Sequence, residues 1–452
     1  MERRTFLKIL SSAGIVSLVS PTFAMEVCKN KVSKSSSALL ESAFRNPPFS
    51  SGVYTWWHWM NGNITKDGIT RDLEAMKANG IAGYQLFEAG SGIPIGPVES
   101  LSDEWVDLIL HTLKESERLG LEFAMHNCPG WSSSGGPWIT PDKAMQIITW
   151  SETKITGGKQ VRIQLPTPKH MFDYYIDTYC LAIPANMKVI PRLSILELSN
   201  RLDKDGVLTW DVPTGEWLIM RFGQTAKDQK NKSAPSKSTG LDCDKFSTEA
   251  LDYHLNCMFK RLMPAMEKIA KHSKIGLLID SYETGDQDWT SDMPAYFEQS
   301  HGYELYPFLP VLANKIVESE ESTKRFLFDF RRVRADMFAE RYYGHFQKRC
   351  KEKGIITYTE PYGGNMMEEL QVAQQLDINM GEFWCGQTVL WANYKYNRTV
   401  KQVASIAHTL GGKVVGAEAF TSEPDADKWL QYPYALKSLG DYMFTRGLSR
   451  IY

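Results

Sequence analysis

Short apolar runs alternate along the chain with longer stretches in which apolar residues recur at helical spacing. The runs at 53–59, 83–87, 122–126 and 275–279 show little polar alternation, which is typical of strands buried on both faces of a parallel sheet. Amphipathic stretches follow the first two runs, and Thr65 and Ser102 are suitable N-caps for them. Repeated strand–helix units of this kind predict an α/β fold.

The alternation continues in the second half of the chain. The pattern predicts further strands at 355–359, 378–380, 413–417 and 448–452, and helices at 248–271, 320–353, 399–410 and 434–446. Eight strands with intervening helices predict a (β/α)8 TIM-type barrel. The chain ends where an eighth helix is expected, so we expect the last barrel unit to be truncated.

Residues 147–240 break the pattern. Short β-type segments there are separated by the turn signals Gly157-Gly158 and Pro213-Thr214-Gly215. We therefore expect a β-rich insertion after the third barrel strand. This places barrel strands 1–3 and their helices in 51–146 and strands 4–8 in 241–452.

The N-terminus has the pattern of an export signal. Residues 1–24 contain a charged start, a short apolar run and a small-residue end, which predicts a signal peptide. Arg3-Arg4 resembles the start of a twin-arginine signal, so we expect a periplasmic or secreted protein. Residues 25–50 are rich in Ser and Lys and are interpreted as a leader or linker. The sequence contains no other segment that could span a membrane.

Composition and charge narrow the class of protein. With 43% hydrophobic and 23% charged residues, the composition is that of an ordinary globular protein. The net charge of −2 gives no reason to expect nucleic acid as a partner.

Acidic residues end four consecutive strands of the predicted barrel: Glu283, Glu360, Glu382 and Glu418. Asp280 directly follows the strand at 275–279. The carboxyl ends of parallel barrel strands meet at one face, where active sites of such barrels lie. Clustered carboxyls suit general acid–base catalysis or a hard cation.

Two histidines also lie at predicted strand ends. His58 and His126 could bind sugar hydroxyls, and a structural role with a hydrogen bond to the backbone is an equal alternative. The sequence has no Cys-x-x-Cys, no His-Glu-x-x-His and no Gly-x-Ser-x-Gly motif. Zinc enzymes and serine hydrolases of those types are therefore not expected.

Several motifs, in order from residue 47 to the end, resemble those of α-L-rhamnosidases of glycoside hydrolase family 106. They are Trp56-Trp57-His58-Trp59-Met60-Asn61-Gly62-Asn63, Cys128-Pro129-Gly130-Trp131-Ser132-Ser133-Ser134-Gly135-Gly136-Pro137-Trp138, Asp280-Ser281-Tyr282-Glu283, Gly381-Glu382-Phe383-Trp384 and Ala417-Glu418-Ala419-Phe420-Thr421. The second motif is long and specific, whereas each shorter one is weak by itself.

The resemblance implies hydrolysis of terminal α-L-rhamnosides with inversion, assisted by Ca²⁺ at the sugar. Glu283 and Glu418 match the catalytic carboxyls, as acid and base in that order, and Glu382 matches a metal or substrate ligand. The other candidates for substrate binding are Trp57, His58, His126, Trp131, Trp138, Asp280 and Glu360. Family members usually continue into further β-rich domains, so C-terminal domains of a longer chain are expected to be missing here.

Two alternatives stay open. Inversion requires the two carboxyls to be about 6.5–9.5 Å apart, whereas a retaining glycosidase requires about 5–5.5 Å. A non-catalytic sugar-binding barrel or inactive fragment is the other alternative, although both Glu283 and Glu418 are present.

Overall fold

The computed structural model describes residues 34–131, 134–385, 390–412, 414–422, 428 and 430–452. The predicted signal peptide at 1–24 lies outside the described residues. Within the described part, no helix combines the length and the apolar character needed to cross a membrane.

The chain divides into two compact units, residues 1–52 and residues 53–452. In the first unit, helix α1 (Lys34–Arg45) occupies part of the predicted leader, followed by one short turn of 3-10 helix. Arg45 pairs with Glu41 one turn earlier at 3.0 Å. Ion pairs at this spacing support an exposed helix.

The second unit is built on eight parallel strands, which pair in chain order. They are β1 (Tyr54–Met60), β2 (Gly83–Ala89), β3 (Glu122–His126), β13 (Ile275–Ile279), β15 (Ile356–Thr359), β16 (Ile378–Cys385), β17 (Val415–Ser422) and β18 (Arg450–Ile451). The first and last strands approach each other without pairing, and the rings of Tyr54 and Tyr452 lie 5.2 Å apart. The strands therefore form a nearly closed barrel, as the sequence predicted.

Helices surround the barrel strands. They are α2 (Lys66–Ala78), α3 (Asp103–Leu119), α4 (Thr248–Phe259), α5 (Met263–Ala270), α6 (Met293–His301), α7 (Leu309–Leu312), α8 (Glu320–Met337), α9 (His345–Lys351), α10 (Glu369–Ala373), α11 (Leu390–Leu410) and α12 (Pro433–Thr445). Both predicted N-caps are confirmed, because Thr65 Oγ1 accepts from Gly68 N and Ser102 Oγ from Trp105 N, each at 3.1 Å.

The structure differs from the predicted helices in several places, and the helix expected at 399–410 begins earlier, at Leu390. The helix expected at 248–271 is interrupted between α4 and α5. The one expected at 320–353 contains a π-helical segment, Phe338–Gly344, between α8 and α9. Helix α6 was not predicted, because its nine residues contain little apolar periodicity beyond Met293 and Phe297.

Further strands, mostly in antiparallel pairs, lie between β3 and β13 in the chain, mostly within the predicted range 147–240. They are β4 (Gly135–Gly136), β5 (Gln146–Thr156), β6 (Lys159–Gln164), β7 (Ile176–Pro184), β8 (Val189–Ile190), β9 (Leu196–Glu197), β10 (Val207–Val212), β11 (Glu216–Ala226) and β12 (Leu241–Asp242). The largest sheet has the order β5-β11-β7-β9. The short β8 pairs in parallel with β14 (Ile316–Val317).

Candidate active site

A cavity of about 580 Å³ opens beside the carboxyl ends of the barrel strands. Aromatic and acidic side chains predominate in its lining, which consists of Thr55, Trp56, His58, Phe87, Trp131, Lys232, Asp280, Ser281, Glu283, Glu382, Trp384, Glu418, Ala419, Phe420, Thr421 and Tyr452. The volume lies in the range of small-molecule sites.

Three carboxyls meet at the inner end of this cavity. Asp280 follows β13 and Glu360 follows β15, and the pairing of Ile279 with Thr359 brings the two residues side by side. Glu418 projects from β17, and one carboxyl oxygen of each acid lies within 4.8 Å of the others. We call Asp280, Glu360 and Glu418 the carboxyl cluster.

Burial and mutual repulsion disfavour ionisation throughout the carboxyl cluster. Burial, and then the charge of Glu418, raises the pKa of Asp280 well above its usual range. Burial and the charge of Asp280 do the same to the pKa of Glu360. Burial and the neighbouring Glu382 raise the pKa of Glu418 to about 7. The cluster therefore holds protons, or a cation, at neutral pH.

The strand register places Glu382 next to Glu418. The two residues are direct partners in the parallel pairing of β16 with β17. Glu382 accepts a hydrogen bond from the indole of Trp384, two residues further along the same strand. Glu382 thus faces the cavity beside the carboxyl cluster without belonging to it.

Glu283 lies at a more exposed part of the cavity. Its side chain is 38% exposed, and its Oε2 accepts from the Lys232 ammonium and from Trp131 Nε1, the latter at 3.2 Å. The preceding Tyr282 is buried, packs on Phe338 and donates its hydroxyl hydrogen to Gly285 O at 2.7 Å. Tyr282 therefore anchors the loop that carries Glu283.

The donor set of the carboxyl cluster fits a hard cation such as Ca²⁺. All three donors are carboxyl oxygens, the ligands that Ca²⁺ prefers. Among the described residues, the basic side chain found within 4.0 Å of the cluster is His126, whose Nδ1 lies 3.9 Å from Asp280 Oδ2. Burial lowers the pKa of His126 to about 3, so this imidazole is neutral and cannot offset the negative charge.

Six of the ten predicted site residues line the cavity, and four do not. His58, Trp131, Asp280, Glu283, Glu382 and Glu418 line the cavity. Trp57 and Trp138, predicted from the sequence as candidates for its walls, do not line it. Trp57 faces α2, where its Nε1 donates to Asp72 at 3.0 Å. Side chains alternate across a strand, and those of Trp56 and His58 on either side of it face the cavity, so Trp57 points to the other side.

Trp138 packs outside the cavity as well. Its Nε1 donates to His254 Nδ1 on α4 at 3.3 Å, and its ring covers Gly136. His126 and Glu360 lie behind the lining residues, both almost fully buried. His126 donates from Nδ1 to Gly130 O at 3.3 Å, which is the structural role that the sequence had left open.

Ten lining residues had not been named as site residues from the sequence, among them Trp56, Lys232, Trp384 and Tyr452. Trp384 could have been predicted from the sequence, because it lies two positions after Glu382 and therefore shares the same face of the strand. Lys232 could not have been predicted, because it lies in an irregular polar segment 51 residues before Glu283.

Comparison with known proteins shows the family of the chain. The family model of glycoside hydrolase family 106, described as alpha-L-rhamnosidase, matches residues 45–178 and 169–452. The chain belongs to this glycoside hydrolase family. It carries the two carboxyls, Glu283 and Glu418, in one cavity.

The structure of a rhamnosidase from Novosphingobium sp. PP1Y has a similar fold, with a TM-score of 0.83 at 24% identity. That match covers 91% of this chain and 56% of the other. A protein of Formosa agariphila, named "Putative beta-glucuronidase", is 40% identical over 442 residues. That match covers 91% of this chain and 37% of the Formosa protein, so the chain spans little more than a third of this relative's length.

Proposed function

We propose that this glycoside hydrolase removes terminal α-L-rhamnose from plant-type polysaccharides or glycosides with inversion at the anomeric carbon. The observation that supports the proposal most directly is the pair Glu283 and Glu418, which line one cavity from different barrel strands. Water and the leaving group need separate carboxyls in an inverting reaction, one as base and one as acid.

The surroundings of the two residues support Glu418 as the base and Glu283 as the acid. Glu418 lies at the inner end, where a raised pKa of about 7 suits a group that takes a proton from water near neutral pH. Glu283 lies at the exposed end, where the leaving oxygen departs toward solvent. Glu283 would have to leave Lys232 and take up a proton from solvent before it gives that proton to the leaving oxygen, and Glu418 accepts a proton from the attacking water.

We propose that the carboxyl cluster holds Ca²⁺ through Asp280 and Glu360, which leaves the Glu418 carboxyl free to act as the base. The ion would offset the charge of the three carboxyls and offer coordination positions to sugar hydroxyls. Glu382, the metal ligand predicted from the sequence, is proposed instead to contact substrate, since it faces the cavity and its carboxyl is not part of the cluster. The apolar faces of Trp56, Trp131 and Trp384 would pack against the sugar.

The test is an assay of the 452-residue chain on an aryl α-L-rhamnoside, with Ca²⁺ and with a chelator. We expect cleavage to β-L-rhamnose, identified by NMR before mutarotation. We expect activity to fall by about 10²–10⁴-fold in Glu418→Gln. The exposed Glu249→Gln serves as the matched control and should retain activity. Release of α-L-rhamnose would indicate a retaining mechanism, and absence of cleavage would favour a non-catalytic barrel.

The acid and base can be distinguished by the leaving group. Glu283→Gln should retain much more activity on a dinitrophenyl rhamnoside than on an alkyl rhamnoside, because a good leaving group needs no proton. Glu418→Gln should lose activity on both substrates and regain it with azide, which attacks without a base. The reverse pattern would exchange the two roles.

Hydrolysis of β-glucuronides is a second candidate, suggested by the name of the Formosa protein. The observation that favours it is Lys232, the one Lys or Arg among the described residues that line the cavity. Such a cation could pair with the carboxylate of a glucuronic acid unit. An aryl β-D-glucuronide included in the same assay separates the two candidates.

A further inference from the structure

Lys232 is held in the wall of the cavity by a set of contacts that an ordinary surface lysine does not need. The preceding Asn231 is buried, and its Nδ2 donates to Pro129 O at 3.0 Å and to Ser238 O at 3.1 Å. Its Oδ1 accepts from Gly240 N at 2.8 Å. The side chain of Asn231 therefore joins the Lys232 segment to the loop that follows β3.

The backbone of Lys232 is fixed from the same loop. Trp131 N donates to Lys232 O at 3.2 Å. Gly130 approaches so closely that an added Cβ would lie 2.0 Å from Lys232 O, and its φ of +80° also favours glycine. The loop and the lysine thus fit together only with glycine at position 130.

Ser233, which follows Lys232, has a φ of +60°. Its carbonyl accepts from Gly90 N at 2.8 Å. A left-handed conformation costs a non-glycine residue about 1–2 kcal/mol, and such conformations persist where the surrounding structure enforces them. Lys232 is therefore bounded by a buried asparagine on one side and a strained serine on the other.

The ammonium reaches the exposed end of the cavity, next to an aromatic surface. The Lys232 side chain is 51% exposed and pairs with Glu283, which also accepts from Trp131 Nε1. The Trp131 ring lies against Phe87 at a centroid distance of 5.5 Å. A flat indole beside an ammonium matches the two features of a uronic acid, an apolar ring face and a carboxylate.

We propose that Lys232 binds the carboxylate of a uronic acid to which the rhamnose is attached, so that the enzyme prefers rhamnosyl uronates to neutral rhamnosides. This inference rests on the proposed rhamnosidase function. Rhamnose has a methyl group where a uronic acid has its carboxylate, so the anion belongs to the sugar that leaves. The substrate carboxylate would replace Glu283 as partner of Lys232 and leave Glu283 Oε2 for the glycosidic oxygen.

The test compares kcat/KM for an α-L-rhamnosyl glucuronate with that for the matching α-L-rhamnosyl glucose. We expect the parent chain to prefer the glucuronate by on the order of tenfold, the contribution of a charge-assisted hydrogen bond at a half-exposed site. Lys232→Met should abolish this ratio, and Lys232→Arg should preserve it. The matched control is Lys230→Met in the same segment. The Lys230 side chain pairs with Asp228 at 3.8 Å and lies outside the cavity lining, so this variant should keep the ratio.

The ratio within each variant is independent of any general loss of activity or folding. An equal kcat/KM for both disaccharides in the parent chain, or an unchanged preference in Lys232→Met, would overturn the inference while leaving the rhamnosidase function intact. An aryl α-L-rhamnoside tests that function separately, and its resistance to cleavage would overturn both proposals. Cleavage of the aryl β-D-glucuronide instead would place the uronic acid in the other sugar position.

Discussion

Thr421 Oγ1 donates a hydrogen bond of 2.5 Å to Glu418 Oε1, although residues three apart in a regular strand face opposite sides. The contact exists because the pairing of β17 with β16 skips Phe420, whose φ is +64°. Such a bulge reverses the direction of the side chains that follow it. The hydrogen bond favours the ionised form of Glu418 and so opposes the increase in its pKa that burial causes.

This contact predicts the pH dependence of the reaction. If Glu418 is the base, it must be ionised, and kcat/KM should fall as the pH drops through its pKa, which is about 7 without a cation and lower beside Ca²⁺. Thr421→Val removes the hydrogen bond, so the pKa of Glu418 should increase further and the acidic limb should move to higher pH by about one unit. The measurement is the pH profile of kcat/KM on an aryl rhamnoside at one fixed Ca²⁺ concentration.

A matched control for Thr421→Val is available on α12. Thr445 Oγ1 donates to Tyr442 O at 2.6 Å on the surface. Thr445→Val should therefore leave unchanged the pH at which kcat/KM falls on the acidic side. A limb that stays in place in Thr421→Val as well, or moves to lower pH, would contradict the assignment of Glu418 as base.

Adjacent tryptophans on β1 give a second prediction. Trp56 lines the cavity, whereas Trp57 packs against Tyr84 and bonds to Asp72. We expect Trp56→Leu to reduce kcat/KM by about tenfold or more through lost contact with the sugar. Trp57→Leu should instead lower Tm, because it removes buried aromatic surface worth roughly 2–4 kcal/mol.

Each of these variants is the control for the other, with kinetics on one substrate and thermal unfolding measured for both. The opposite result, with Trp57→Leu impaired in kcat/KM and unchanged in Tm, would restore Trp57 to the sugar site. Loss of stability in both variants with equal kinetics would show that neither ring contacts the substrate.

The carboxyl cluster predicts how stability depends on pH when metal is absent. The pKa of Glu360 is raised in the folded protein, so the folded state binds the proton more tightly than the unfolded chain, in which the pKa is about 4.3. The stabilisation from this proton is complete below that value and is lost as the pH rises toward the folded-state pKa. Tm measured with a chelator should therefore decrease from weakly acidic to neutral pH.

Glu360→Gln keeps the shape of the side chain and removes the ionisation. We expect this variant to have a flatter Tm profile, a higher Tm than the parent at neutral pH with chelator, and a smaller increase in Tm on addition of Ca²⁺. Glu249→Gln is again the surface control. An identical Tm profile in Glu360→Gln and the parent would show that ionisation of the buried Glu360 carboxyl does not destabilise the fold.

The sequence predicted the barrel well, because its strands are buried on both faces and therefore appear as unbroken apolar runs. Strands β3 and β13 coincide with the predicted ranges 122–126 and 275–279. The acids at the strand ends were also accessible from the sequence, since parallel strands bring their carboxyl ends to one face of a barrel. The family resemblance, confirmed by the family match, then predicted which of these acids are catalytic, and that assignment stays a prediction.

Only the tertiary structure decided which side chains face the cavity and which acids meet. Alternation along β1 separates Trp56 from Trp57, but the sequence does not say which face is inside. The strand register put Glu382 beside Glu418 and left it out of the carboxyl cluster. Lys232 reaches Glu283 through the packing of two irregular loops, and such contacts between distant segments leave no periodic pattern in a sequence.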